Sequence, residues 1–282
     1  MWFKRIVFFA IILVLITVVQ SCFQFRMSDK KQWQELAEIN YNQQVEIGKR
    51  NCDGRLIHYT LVHTNYSLPL AVFVHGSPGS SSSFISFAKD TNLLKKYNVL
   101  LVDRPGYGSS DFGKPETSLA KQANMLNQLV GGFNYSKTIL VGHSLGGPII
   151  SRMAMEEPEK YDGLLIIAGS VSPELEPEDK YRYLLNSKAV RWFLPNAIDV
   201  SNQEILPAKS ELIAMESLWK NINCKVIIVQ GGDDNLVPPG NADYAEKKLV
   251  NAIEVEVIRL PNENHFIPFT KPELITDILL RF

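Results

Sequence analysis

Residues 141–147 read Val-Gly-His-Ser-Leu-Gly-Gly, at the point where an apolar run gives way to a helix-forming one. A serine held at a sharp strand-to-helix turn is lifted clear of its neighbours and can act as a nucleophile. Gly142 and Gly146 remove the side chains that would clash in such a bend, and the positive end of the following helix favours charge developing beside Ser144. Serine is weakly nucleophilic at neutral pH and needs a base. There are five histidines: 58, 63, 75, 143 and 265. His58 and His63 lie in an opening hairpin, His143 adjoins the serine and should point away from it, and His75 starts another loop. His265 remains, in Asn262-Glu263-Asn264-His265-Phe266, where a loop could reach back to Ser144. An acid to orient the imidazole is available in Gln230–Pro238, which offers both Asp233 and Asp234.

These residues need a scaffold that brings distant segments to one edge. Strands are expected at Val45–Lys49, Arg55–Val62, Leu70–Val74, Val99–Val102, Thr138–Val141, Leu164–Ala168, Val226–Val229 and Val255–Ile258. The first two are joined by an Asp-Gly turn. Helices are expected at Phe84–Lys96, Ser118–Leu129, Leu145–Glu156, Ala242–Leu249 and Glu273–Leu280. Short apolar runs alternating with helices predict an α/β fold: an eight-stranded, mostly parallel sheet with helices on both faces. The alternation fails between Gly169 and Asn223, which carries helix-forming sequence and prolines at 173, 177, 195 and 207. Residues 173–217 are expected to form a small helical cap, and the aromatics of the Gly169–Asn223 stretch (Tyr181, Tyr183, Trp192, Phe193, Trp219) to anchor it or line a pocket.

Four motifs resemble the α/β-hydrolase family over about residues 50–282. They are the G-x-S-x-G turn at Ser144, His75-Gly76-Ser77-Pro78-Gly79 (H-G-x-P-G), Asp103 through Ser110 (D-x-P-G-x-G-x-S), and Gly231 through Pro238 (G-x-x-D-x-x-V-P). The resemblance favours Asp234 over Asp233, in the family's chain order of Ser, Asp and His. It implies Ser144 as nucleophile, His265 as general base and Asp234 as orienting acid. The backbone N–H groups of Leu145 and Ser77 would form the oxyanion hole; Pro78 has no N–H to offer. His75 would be structural and Asp103 would shape a loop. The implied reaction is hydrolysis of an ester, or an amide or thioester, of a small to medium apolar substrate through an acyl-enzyme, with no metal or organic cofactor. A serine rather than an aspartate at the turn argues against epoxide opening and dehalogenation. Carbon–carbon bond hydrolysis and perhydrolysis remain open on the same triad, as does a non-catalytic, membrane-tethered binding role.

The formal net charge of −1 in 282 residues gives no basic excess for nucleic acid. Met1–Arg5 is short and basic, and Ile6–Val19 is an apolar run suited to an export signal, or to a short anchor if the count starts earlier. Val19-Gln20-Ser21-Cys22 resembles a bacterial lipoprotein signal, making Cys22 a lipidation candidate. Residues 1–28 are expected to be an export signal or membrane anchor, 29–44 a linker or short amphipathic helix, and 45–282 the domain. The protein would then be membrane-associated on the exported side of a bacterial membrane. Cys52 and Cys224 are expected to be buried small hydrophobes, with a disulfide chemically allowed.

Overall fold

The computed structural model describes residue 2 and residues 23–282, apart from 40 and 178. The apolar run 6–19 and Cys22 lie outside the described residues. Among the described residues, no helix is long and apolar enough to cross a membrane.

One eight-stranded sheet organises the chain in the order β1-β2-β4-β3-β5-β6-β7-β8. The strands are β1 (Gln44–Cys52), β2 (Arg55–His63), β3 (Leu70–Val74), β4 (Asn98–Val102), β5 (Thr138–His143), β6 (Gly163–Ile167), β7 (Lys225–Gly231) and β8 (Glu254–Leu260). β2 runs antiparallel to both β1 and β4, and every other pair is parallel. The β1–β2 turn uses Asp53 and Gly54, both with positive φ (50° and 79°), as a two-residue hairpin turn requires. The eight strands and the edge hairpin match the expected sheet.

The helices are α1 (Asp29–Ala37), α2 (Ile85–Lys89), α3 (Thr91–Leu94), α4 (Leu119–Gly131), α5 (Gly146–Glu156), α6 (Tyr181–Leu185), α7 (Lys188–Arg191), α8 (Asn196–Ile205), α9 (Ala208–Met215), α10 (Gly240–Lys248), α11 (Ile267–Thr270) and α12 (Pro272–Leu279). Successive residues of a strand face opposite sides. Leu70, Val72 and Val74 therefore join the core shared with α4 and α5, while Ala71 and Phe73 join the core beneath α2 and α12. This two-sided burial explains why β3 to β7 read as unbroken apolar runs.

One expectation needs correction. The single helix expected over Phe84–Lys96 is broken at Asp90. That residue is extended (φ −75°, ψ 106°) and its carboxylate caps the N–H groups of Asn92 and Leu93, so a 3₁₀ turn, α2 and α3 replace one helix. In the 29–44 stretch, of the two alternatives, a short helix forms: α1 packs on the domain through buried Leu36, and Gln32 accepts a 2.9 Å bond from Thr60, whereas Trp33 faces solvent. Cys52 and Cys224 are buried free thiols, as expected, and no disulfide joins them. Burial pushes Cys224 up to about 11.

The segment expected as a cap, 173–217, carries α6 to α9. Its α8 is fixed to the body by a buried ion pair. The Arg104 guanidinium donates to both carboxylate oxygens of Glu204 (2.8 and 3.0 Å), to the carbonyls of His75 and Gly76 (2.8 Å each) and to Gln122 (3.0 Å). All five of its N–H donors are thus used. Burial disfavours the Arg104 charge, but the Glu204 carboxylate outweighs that and holds its pKa above the ordinary arginine value. Breaking such a pair from one side strands a buried charge. Glu204→Ala is expected to cost ~3–5 kcal/mol in urea unfolding, with Glu204→Gln milder because it keeps hydrogen-bonding groups in place.

Candidate active site

The predicted residues converge at the carboxyl ends of β3, β5, β7 and β8. Ser144 ends β5 in a left-handed conformation, φ 55°, that non-glycine residues seldom adopt. Its N–H donates to Ile167 O on β6 (3.0 Å), and its carbonyl accepts from Gly147 (2.9 Å) and Ser170 (3.3 Å). The glycines around it are required by space. A Cβ on Gly142 would lie 2.5 Å from Gly146 O, and one on Gly146 would lie 2.2 Å from Val74 O. A Cβ on Gly76 would lie 2.7 Å from the Ser144 Cβ, so the His75–Gly79 loop runs directly against the serine.

Asp234 and His265 are brought together by a similar close approach. Gly232 N–H bonds Leu260 O (2.9 Å) and Asp233 N–H bonds Glu263 O (3.0 Å), which zips the loop after β7 to the loop after β8. Asp234 is buried, and its Oδ2 lies 2.8 Å from His265 Nδ1. Its Oδ1 accepts the N–H groups of Leu236 (2.9 Å) and Val237 (2.8 Å). Burial by itself would raise the carboxyl pKa, but the His265 bond and these N–H donors hold it below the usual value. Asp233 is exposed.

Ser144 and His265 line one cavity of about 760 Å³, together with His75, Gly76, Ser77 and Leu145. No Oγ–Nε2 hydrogen bond joins the pair in this arrangement; such contacts commonly tighten only with substrate in place. Among the described residues, the N–H groups of Ser77 and Leu145 find no acceptor within the protein. The Ser77 hydroxyl is held by Tyr107 (2.8 Å) and Ser201 (2.9 Å), and Tyr107 also donates to Glu204. Among the described residues, no group of three or more His, Cys, Asp or Glu side chains is arranged to hold a metal ion.

The cavity wall is largely apolar, with Leu145, Ile198, Ile205 and Val237, and also carries the polar Glu176 and Arg182. Burial raises the Glu176 carboxyl, while Ser170, which donates at 2.7 Å, pulls it back in part. The aromatics expected to anchor the cap or line a pocket do not line this cavity. Trp219 is buried elsewhere against Tyr244, and Tyr181, Tyr183, Trp192 and Phe193 face solvent. Sequence reasoning missed Arg104, Tyr107 and Glu204. The only local signal was a glutamate sharing a buried helix face with Val200 and Ser201.

His75 accepts the Arg104 N–H at Nε2 (3.0 Å) and reaches Gly76 O from Nδ1 (2.7 Å), which fixes its tautomer. His143 Nε2 lies 2.9 Å from His265 O and so steadies the histidine loop. Burial, with the nearby Arg104 cation, lowers His75 to about 3. Burial, with His265 alongside, lowers His143 to about 4.

The residues of the chain match the family model described as "alpha/beta hydrolase fold" over 69–197. The sn-1-specific diacylglycerol lipase ABHD11 of Mus musculus is 31% identical over 83% of this chain and 88% of its own length. A solved membrane phospholipase A, described as a bacterial virulence factor, matches 99% of this chain and 97% of its own at TM-score 0.66 and 16% identity. An esterase of Exiguobacterium antarcticum matches 83% and 98% at TM-score 0.65 and 18% identity. The chain belongs to the α/β-hydrolase family. It is a hydrolase of the lipase- and esterase-like kind.

The two neutral histidines make stability depend on pH. An unfolded histidine takes up a proton below pH ~6.5, whereas His143 and His75 stay neutral in the fold until much lower pH. Their contribution is complete above pH ~6.5 and is lost as pH falls toward the folded values, at up to about 1.4 kcal/mol per unit for each. Urea unfolding between pH 7 and 4.5 should show this slope, and His143→Gln should make it shallower.

Proposed function

We propose that the chain hydrolyses a carboxylic ester with an apolar acyl group through a covalent acyl-enzyme. The observation that carries this reading is the meeting of Ser144 and His265 in one cavity, with His265 bonded at 2.8 Å to a buried carboxylate. In the proposed step Ser144 Oγ attacks the ester carbonyl while His265 Nε2 takes its proton. Asp234 keeps the other proton on Nδ1 and steadies the imidazolium that forms. The N–H groups of Ser77 and Leu145 hold the oxyanion, each worth ~3 kcal/mol in the transition state. His265 then protonates the leaving alkoxide, and a water activated by the same imidazole releases the acid.

The apolar wall supports an acyl chain as the recognised group, and kinship with a protein named for diacylglycerol hydrolysis supports a glyceride-like ester. The sequence of residues 1–28 supports export with a membrane tether, either an uncleaved anchor or a lipid on Cys22.

Ser144→Ala is expected to lower kcat on p-nitrophenyl esters by about 10⁶-fold and to abolish labelling by a fluorophosphonate probe. Asp234→Asn should cost about 10⁴-fold, whereas Asp233→Asn should stay near wild type. Undiminished turnover by Ser144→Ala would remove this reading. For the tether, Cys22→Ser should abolish palmitate incorporation and release the chain from the membrane fraction; retention of the variant in that fraction, with no palmitate on either form, would identify an anchor instead.

A further inference from the structure

The mouth of the Ser144 cavity is ringed by water-facing apolar side chains. Phe25, Leu236, Phe266 and Phe269 all line the cavity and are 43–60% exposed. Phe23, also exposed, sits with its ring centroid 6.1 Å from that of Phe25. These residues come from three separate stretches: the N-terminal lead, the Asp234 loop and the His265 loop running into α11. Large apolar groups gathered from distant segments around one opening mark a surface that is covered when the protein works.

What covers it follows from where the lead attaches. Phe25 stands three residues after Cys22, and three extended residues reach at most about 11 Å. The lead is clamped in place, since Arg26 donates to Gly108 O (2.9 Å) and stacks on the Phe112 ring at 4.2 Å. A tether ending at Cys22 therefore holds this opening close to whatever layer takes up the apolar run 6–19.

We propose that the cavity mouth is a bilayer-docking surface, and that the ester is a long-chain acyl lipid drawn from the plane of the membrane rather than from water. This rests on the ester-hydrolase and membrane-tether readings above. The rim rings lie in the lipid interface, the acyl chain passes from bilayer to apolar wall without crossing water, and the ester carbonyl arrives at Ser144. Glu176 and Arg182, which also line the cavity, give its hydroxyl or head group polar partners.

The test uses the full chain with Phe266→Cys or Leu236→Cys, labelled with an environment-sensitive nitrobenzoxadiazole dye and reconstituted into phosphatidylcholine–phosphatidylglycerol vesicles. Emission from the identically treated unsubstituted chain is subtracted. Ile253→Cys is the control, being exposed at the opposite end of β8 from the site. Dye at 266 and 236 should shift to the blue and lose most of its emission to spin-labelled lipid, while dye at 253 should do neither. The unlabelled wild type should turn over a long-acyl ester carried in vesicles faster than a soluble short-acyl ester, with Ser144→Ala as the blank. Lipid quenching without Ser144-dependent turnover would keep the docking surface and remove the ester reading. Ser144-dependent turnover with unquenched dye at 266 and 236 would overturn the docking surface and leave hydrolysis standing. A blue shift without lipid quenching, in a species of twice the mass, would overturn it in favour of a second copy of the chain.

Discussion

The left-handed turn at Ser144 is the constraint on which the site depends. A non-glycine residue at φ 55° carries strain of ~1–3 kcal/mol and persists only where its surroundings leave no alternative. Here they leave none: β6 takes the serine N–H, and Gly147 and Ser170 take its carbonyl. Gly142, Gly146 and Gly76 let three backbone segments crowd the turn at distances where a Cβ would collide. The same crowding brings the His75–Gly79 loop against the serine, so the bend that presents the hydroxyl also positions the proposed Ser77 donor. Strain and preorganisation arise from one packing arrangement.

A second layer of organisation surrounds that turn. Arg104 binds the carbonyls of His75 and Gly76 on one side and the Glu204 carboxylate on the other. Tyr107 links Glu204 to the Ser77 hydroxyl, which Ser201 on α8 also holds. The loop bearing the proposed oxyanion donor and the helix forming a cavity wall are therefore parts of one buried polar network. Opposite them, neutral His143 steadies the backbone of His265, and the zipped loops after β7 and β8 hold the imidazole against Asp234.

The sheet was legible in the sequence because two-sided burial leaves little choice of residue: Leu70–Val74 and Thr138–Val141 read as strands from composition alone. Ser144 and His265 were legible because a glycine-flanked turn and a short count of histidines narrow the chemistry sharply. Asp234 was told from its neighbour only by the resemblance of Gly231 through Pro238 to the family's motif, since burial of one and exposure of the other are decided by the crossing loop at Glu263. The break at Asp90 was hidden because an apolar, helix-forming run says nothing about a side chain that prefers to cap. Glu204 was hidden more deeply. A glutamate on a helix ordinarily means a solvated face, and only Arg104, one hundred positions earlier, gives it another meaning. The outward aromatics of α6 and of the residues just after α7 misled for the converse reason, because a ring near a site is usually assumed to point into it.

The saturated guanidinium of Arg104 has a consequence for the shape of the chamber. Swinging α8 outward would take both Glu204 oxygens from a buried cation and leave two of its five N–H donors without an acceptor. That part of the wall is therefore held to the body by a buried ion pair. The face of the chamber that Ile198 and Ile205 form is thereby kept to one contour, which an occupant has to match.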